Sequence, residues 1–165
     1  MSSFEPSRGC TIRRATPADS SGILACLHTA FAPYRNSYTP EAYVDTVLSE
    51  ETLKQRLQSM RIFVAVSDSG EIIGTIGCNV AGANEGHLRG MAVLPEWQGA
   101  GVADQLLETA ESELRQLGCH RVTLDTTAPL RRAVHFYERN GYRATGKIAD
   151  FFGMPLYEYA KSLCS

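Results

Sequence analysis

Met91-Ala92-Val93-Leu94-Pro95-Glu96-Trp97-Gln98-Gly99-Ala100-Gly101-Val102-Ala103-Asp104-Gln105-Leu106-Leu107 changes its period half-way along. An apolar, strand-like run stops at Pro95. Beyond Gly101 the apolar residues Val102, Ala103, Leu106, Leu107, Ala110, Leu114 and Leu117 recur at spacings of three and four, which predicts a helix that ends at Gly118. Between the two lie Gly99, Ala100 and Gly101. Their small side chains leave backbone N–H groups uncovered at a helix N-terminus, where the macrodipole adds partial positive charge and favours a phosphate. The same glycines equally suit a tight strand-to-helix turn, and the segment alone does not decide. No Lys-Ser or Lys-Thr closes the loop, as a P-loop requires, and no third glycine sits at the dinucleotide-fold spacing. ATP hydrolysis and dinucleotide binding therefore lose ground.

Upstream, RIFVAVSD and EIIGTIGCNVAG are Ile- and Val-rich and are split by Asp68-Ser69-Gly70, which predicts an antiparallel hairpin. A further strand, HLRGMAVLP, carries Gly90 inside its pattern, a sign of a bulge or a close backbone approach. Earlier still, a short strand around Cys10 to Arg14 leads to Thr16, Pro17 and Asp19, a capping-box-like start for a helix to about Phe31. AFAPYRNSYTP reads as an irregular loop. Thr39-Pro40-Glu41 opens a helical region to about Met60, with a second start at Ser49. Downstream come a strand at RVTLDTT, a helix from Leu130 to Asn140 closed by Gly141, and strands over Tyr142 to Ile148 and Met154 to Tyr159. This order is α/β with a mixed sheet. Residues 1–9 read as a flexible N-terminal tail and residues 10–165 as a single domain.

The chain has 165 residues, 44% of them hydrophobic, enough to bury a core in one domain. Sixteen Lys and Arg stand against eighteen Asp and Glu, so there is no basic excess for nucleic acid or an anionic membrane surface. The longest uncharged stretch, Ser20 to Tyr34, is too short and too polar to span a bilayer, and the N-terminus lacks the apolar run of a secretory signal. The five cysteines form no CxxC and are odd in number, which points to small buried thiols in a reducing compartment, the cytoplasm, with no metal site.

Gln98-Gly99-Ala100-Gly101-Val102-Ala103 fits the pattern Q/R-x-x-G-x-G/A of the GNAT superfamily of N-acetyltransferases. With Met91-Ala92-Val93 just upstream, RAVHFYERNGYR downstream and the element order from about Thr11, the chain resembles that family over nearly its whole length. The resemblance implies a mixed, mostly antiparallel central sheet flanked by helices. It implies acetyl-CoA as cosubstrate and no metal, with the pyrophosphate on Gln98 to Ala103 and the pantetheine arm along Met91, Ala92 and Val93. Tyr137 matches the tyrosine that faces the coenzyme sulfur and protonates the departing thiolate, a role for which a neutral phenol is suited. Beside Phe136 on a helix face, it reads equally as a core residue. Leu130 departs from the family, many members of which carry Asn there.

An amine must shed a proton before it attacks a thioester. Asp125 resembles the acidic base of some members, or else caps its strand end; His87 and Glu85 are weaker candidates. Tyr34 and Tyr38 stand where the family chooses its acceptor, either lining the cleft or forming a hydrophobic lid. Neither Cys78 nor Cys119 has an evident His partner, so nothing suggests an acyl-enzyme. The implied activity is transfer of acetyl to a primary amine, on a small molecule or a peptide, by direct attack. The alternative is an inactive CoA-sensing or protein-binding module. Exposed edges of a small sheet also allow a homodimer.

Overall fold

The computed structural model describes residues 9–163; the expected tail, apart from Gly9, lies outside the described residues. Seven strands, β1 (Cys10–Arg14), β2 (Arg61–Ser67), β3 (Ile72–Gly82), β4 (Glu85–Val93), β5 (Arg121–Thr126), β6 (Arg143–Phe151) and β7 (Met154–Ser162), form one sheet. Its order is β1-β2-β3-β4-β5-β7-β6, and every pairing is antiparallel except β4 with β5. Five helices pack on it: α1 (Ser20–Phe31), α2 (Pro40–Val47), α3 (Glu50–Ser59), α4 (Val102–Gln116) and α5 (Arg131–Arg139). The mixed sheet and the hairpin of β2 and β3 around Asp68 to Gly70 follow the sequence reading. The stretch read as an irregular loop instead forms a 3-10 turn over Ala32–Ser37, which Pro33 at its start favours.

Two of the expected caps are made. The Ser49 side chain accepts from the Thr52 N–H at the start of α3, and Thr39 accepts from Ala42 N–H at the start of α2. Thr16 opens a short 3-10 turn, Pro17–Asp19, before α1. There Asp19 accepts from the Thr16 N–H at 2.8 Å and takes both Arg13 guanidinium nitrogens at 2.8 Å, tying α1 to the edge strand. That guanidinium, with the Thr16 bond adding to it, holds the Asp19 carboxyl at about 2.

Helix α4 lies on the sheet through Val102, Leu106, Leu107, Ala110 and Leu114, all buried. A Cβ on Gly74 of β3 would come within 2.9 Å of Leu106, and one on Gly86 of β4 within 2.7 Å of Leu114. Those glycines let the leucines sit down on the strands. Glu111, on the same buried face, accepts from Tyr142 Oη at 2.7 Å and from Lys161 Nζ at 3.0 Å. This charge-assisted network joins α4 to β7 and to Tyr142, three residues past the end of α5, and so fixes the helix that carries Tyr137.

The feature that makes room for a ligand is in the middle of the sheet. β4 and β5 pair only from Glu85 with Arg121 to Leu88 with Leu124. Against β3, Arg89 faces Gly77 but Ala92 faces Thr75, so Gly90 and Met91 together oppose Ile76. This is the bulge that the strand glycine signalled, and Gly90 has φ +68. Beyond it β4 diverges from β5, and no further pairing joins the two strands.

Candidate active site

Two cavities meet where the strands part. The wider, about 730 Å³, runs along Met91, Ala92 and Val93 to Gln98, Gly99, Gly101 and Ala103. The narrower, about 320 Å³, lies over the ends of β4 and β5, between Asp125, Thr126 and His87 on the sheet and α2 and α3 above. Met91, Leu130, Ala133 and Tyr137 border both.

The loop before α4 takes its shape from two left-handed residues, Gly99 at φ +83 and Gly101 at φ +86, the latter being the N-cap of the helix. A Cβ at either would find no heavy atom within 4 Å. The backbone N–H groups of the first turn of α4 are thus uncovered at the positive end of a fifteen-residue helix. Val102 is buried in the core, so only its backbone is free to serve the loop; Ala100 does not line the cavity. Gln98 turns its side chain back to donate to Val93 O at 3.3 Å, joining the loop to the strand end. Arg131, Arg132 and Arg139 of α5 line the opposite wall, the last with its guanidinium 5.6 Å over the Phe136 ring. A net charge of -2 for the chain hides this local cationic wall. The three arginines were not singled out in the sequence, because on an amphipathic helix they read as its solvated face.

Tyr137 is 8% exposed, packed edge-on between Phe136 and Tyr142, and its hydroxyl donates to Met91 Sδ at 3.4 Å. The core reading of this residue holds for its ring, and its hydroxyl is placed at the cavities, where it reaches the bulged strand. Burial drives the phenol pKa far above its usual value, so it is protonated throughout the neutral range.

Asp125 lies at the end of β5, opposite Glu158 of β7, and lines the narrower cavity. His87, one strand away, has Nε2 3.6 Å from Asp125 Oδ2 and Nδ1 2.8 Å from Thr123 Oγ1. Burial pushes this imidazole below its ordinary range, against the opposing pull of Asp125. Asp125 and His87, alternatives in the sequence, are thus neighbours on one wall. Glu85 is held by Arg121 at 2.8 Å and lines neither cavity. Tyr38 lines the narrower cavity and its hydroxyl is 2.8 Å from Thr127 Oγ1, whereas Tyr34 lines the wider one. Thr39 donates to Phe152 O at 2.8 Å, so the segment before α2 and the final hairpin meet over the cleft. Leu130 starts α5 with no side-chain cap, and its apolar side chain lies at the junction.

The sequence profile of the acetyltransferase (GNAT) family matches residues 24–142, a span that runs from α1 through the glycine loop to Tyr137. The chain belongs to this family. An aminoglycoside N(6')-acetyltransferase type 1 of Stenotrophomonas maltophilia is 30% identical over 154 residues, covering 88% of this chain and 94% of the relative. An aminoalkylphosphonate N-acetyltransferase of Salmonella typhimurium is 30% identical over 142 residues, or 81% and 85% of the two chains. Among solved structures, the PaiA N-acetyltransferase of Thermoplasma acidophilum in complex with coenzyme A superposes with a TM-score of 0.77 at 21% identity, covering 93% of this chain and 99% of the other. A GNAT-family acetyltransferase of Staphylococcus aureus gives 0.77 at 18% identity, over 94% and 100%. The GNAT fold implied by the sequence is therefore the fold of this protein. Among the described residues, no helix is long and apolar enough to cross a membrane.

Proposed function

We propose that this GNAT acetyltransferase moves acetyl from acetyl-CoA to a primary amine by direct attack, with the coenzyme in the wider cavity and the amine in the narrower. The observation that carries the reading is the meeting of the two cavities at Met91 and Tyr137, where β4 and β5 separate. The residues present fit the coenzyme. Gly99 and Gly101 line the wider cavity and leave their backbone open to it, the first turn of α4 offers N–H donors, and Arg131, Arg132 and Arg139 offer cations for phosphate. When bound, acetyl-CoA supplies an activated acetyl carbonyl and a thiol leaving group.

The chain's own residues then do the following work. Met91, Ala92 and Val93, beyond the last pairing of β4 with β5, give the pantetheine arm an extended edge to lie against. Asp125, directly or through a water, takes a proton from the incoming ammonium, and His87, with Nε2 3.6 Å from the carboxylate, is close enough to accept it onward. The freed amine nitrogen forms the C–N bond to the acetyl carbon as the C–S bond breaks, and it sheds its second proton to water, which returns a proton to Tyr137 after the transfer. Tyr137 Oη, already donating to a sulfur, donates to the departing sulfur and gives it a proton. Tyr38, with Tyr34 nearby, walls the acceptor. No cysteine enters: Cys26 and Cys78 are buried thiols pushed up to about 12 and about 11 by burial. Two relatives are named for aminoglycoside and aminoalkylphosphonate acceptors, and an acceptor cavity of about 320 Å³ suits a small molecule better than a folded protein.

The test is release of free thiol from acetyl-CoA over a panel of primary amines. Turnover with at least one small amine, with N-acetylated product, is expected. Stabilisation by CoA with no turnover on any amine would instead support the reading as a coenzyme-sensing module.

A further inference from the structure

The narrower cavity holds a charge that the transfer step does not use. Arg56 of α3 lines it, and its Nη1 would be 3.1 Å from a Cβ on Gly90, so the guanidinium lies over the bulge of β4. Among the described residues, no carboxylate or carbonyl accepts a hydrogen bond from this guanidinium. Arg89, the other cation on the wall, is ion-paired with Asp45 at 3.1 Å. Burial, with Arg89 adding to it, lowers the Arg56 pKa to about 10, which leaves it charged at neutral pH. On the β5 side, Thr126 is 4% exposed and its Oγ1 has no hydrogen-bond partner, although it lines the same cavity. A buried hydroxyl without a partner is uncommon and points to a ligand group.

Asp45 bonds to Arg89 and attracts Arg56 only through space, so among the described residues the wall keeps one cation with no hydrogen-bonded anion, Arg56, and a second carboxylate, Asp125, beside a neutral imidazole. That is a dipolar pocket. A polyamine would bring several cations to a site with a guanidinium in it, where like charges at close range repel. An amine that also carries an anionic group matches both poles.

Resting on the transferase reading above, we propose that the acceptor is a small zwitterionic amine, its carboxylate, phosphonate or phosphate held by Arg56 and its amine directed to Asp125. Arg56 is then a specificity residue and not a catalytic one. A planar guanidinium binds such oxyanions through paired N–H donors, which an ammonium does not reproduce.

The experiment measures thiol release with aminoalkyl carboxylates and aminoalkyl phosphonates of graded chain length, against n-alkylamines and α,ω-diamines of matched length. Wild type, Arg56→Gln and Arg56→Lys are compared, each checked for unchanged CoA binding as proof of folding. The expected result is a preference in kcat/KM for the zwitterions of at least tenfold in wild type. Arg56→Gln abolishes it by raising KM for the zwitterions alone, and Arg56→Lys restores it in part. Diamines or simple alkylamines preferred by wild type, or an equal loss for every amine in Arg56→Gln, overturns the proposal. Calorimetric binding of the same zwitterions to the CoA-saturated protein decides the matter even if no amine is turned over. Absence of turnover counts against the transferase reading, whereas wild-type binding that Arg56→Gln loses upholds the pocket, and binding unchanged by Arg56→Gln refutes it.

Discussion

Replacing Gly101 with Ala separates the loop's fold from its binding role, because a matched control exists in the same helix. Gly101 precedes α4 at φ +86, and Gly118 follows it at φ +88; a Cβ at either meets no heavy atom within 4 Å. Neither substitution therefore creates a clash, and each pays only for a left-handed non-glycine residue, about 1–2 kcal/mol. For a domain of this size each kilocalorie lowers Tm by about 2–4 °C, so both variants should melt about 2–8 °C below wild type. Their CoA affinities should part. At Gly101 the methyl stands where a phosphate must approach the backbone, and losing one charge-assisted hydrogen bond there costs about 1.5–3 kcal/mol. That is a Kd raised by about tenfold to a hundredfold at 1.4 kcal/mol per decade. Gly118 lines neither cavity and should leave Kd unchanged. Calorimetric titration with CoA, beside thermal melts, makes the comparison. Equal CoA affinities in the two variants would refute the assignment of the loop.

Tyr137→Phe keeps the ring between Phe136 and Tyr142 and removes only the hydroxyl, so kcat should fall about 10²-fold or more with CoA affinity nearly constant; a rate close to wild type in steady-state thiol release would return Tyr137 to the core alone. Because burial raises that phenol far above its usual pKa, any alkaline fall in kcat below pH 10 should persist unchanged in Tyr137→Phe controls and belong to another group. Asp125→Asn retains shape but accepts no proton, and should lower kcat and alter the acidic limb of the pH–rate profile; an unaltered limb at wild-type rate would assign Asp125 to structure. Asp19 is a carboxyl lowered in the fold from 3.8 to about 2, so its contribution to stability is complete above about pH 4 and is lost as pH falls toward 2. Arg13→Met should flatten that part of the stability curve, as followed by urea unfolding at stepped pH.

Much of the fold was legible because its periods are strong. The apolar spacing of Val102 to Leu114, the split at Asp68 to Gly70 and the caps at Thr39 and Ser49 are local signals, and each element formed where its pattern stood. Gly90 is the most informative case. A glycine within a strand pattern signalled a bulge, and the register confirms one at the point where the sheet opens. The site was legible only where a residue's partner is close in sequence. Asp125 and His87 are thirty-eight residues apart and become neighbours through the parallel pairing of β4 with β5, which no local pattern encodes. Arg56 sits in a helix stretch, KQRLQ, that reads as a solvated face, and its position over Gly90 depends on how α3 crosses the sheet. The arginines of α5 meet the glycine loop across the wider cavity only in the folded chain, so no local pattern marks them.

A crystal structure of the protein with CoA bound would show directly where the coenzyme lies. The pyrophosphate is expected on the backbone N–H groups between Gly99 and Ala103, the pantetheine arm along Met91 to Val93, and the sulfur within about 3.5–4 Å of Tyr137 Oη, facing the cavity of Asp125 and His87. A coenzyme bound with its sulfur away from Tyr137, or with its phosphates elsewhere than on that loop, would contradict this placement.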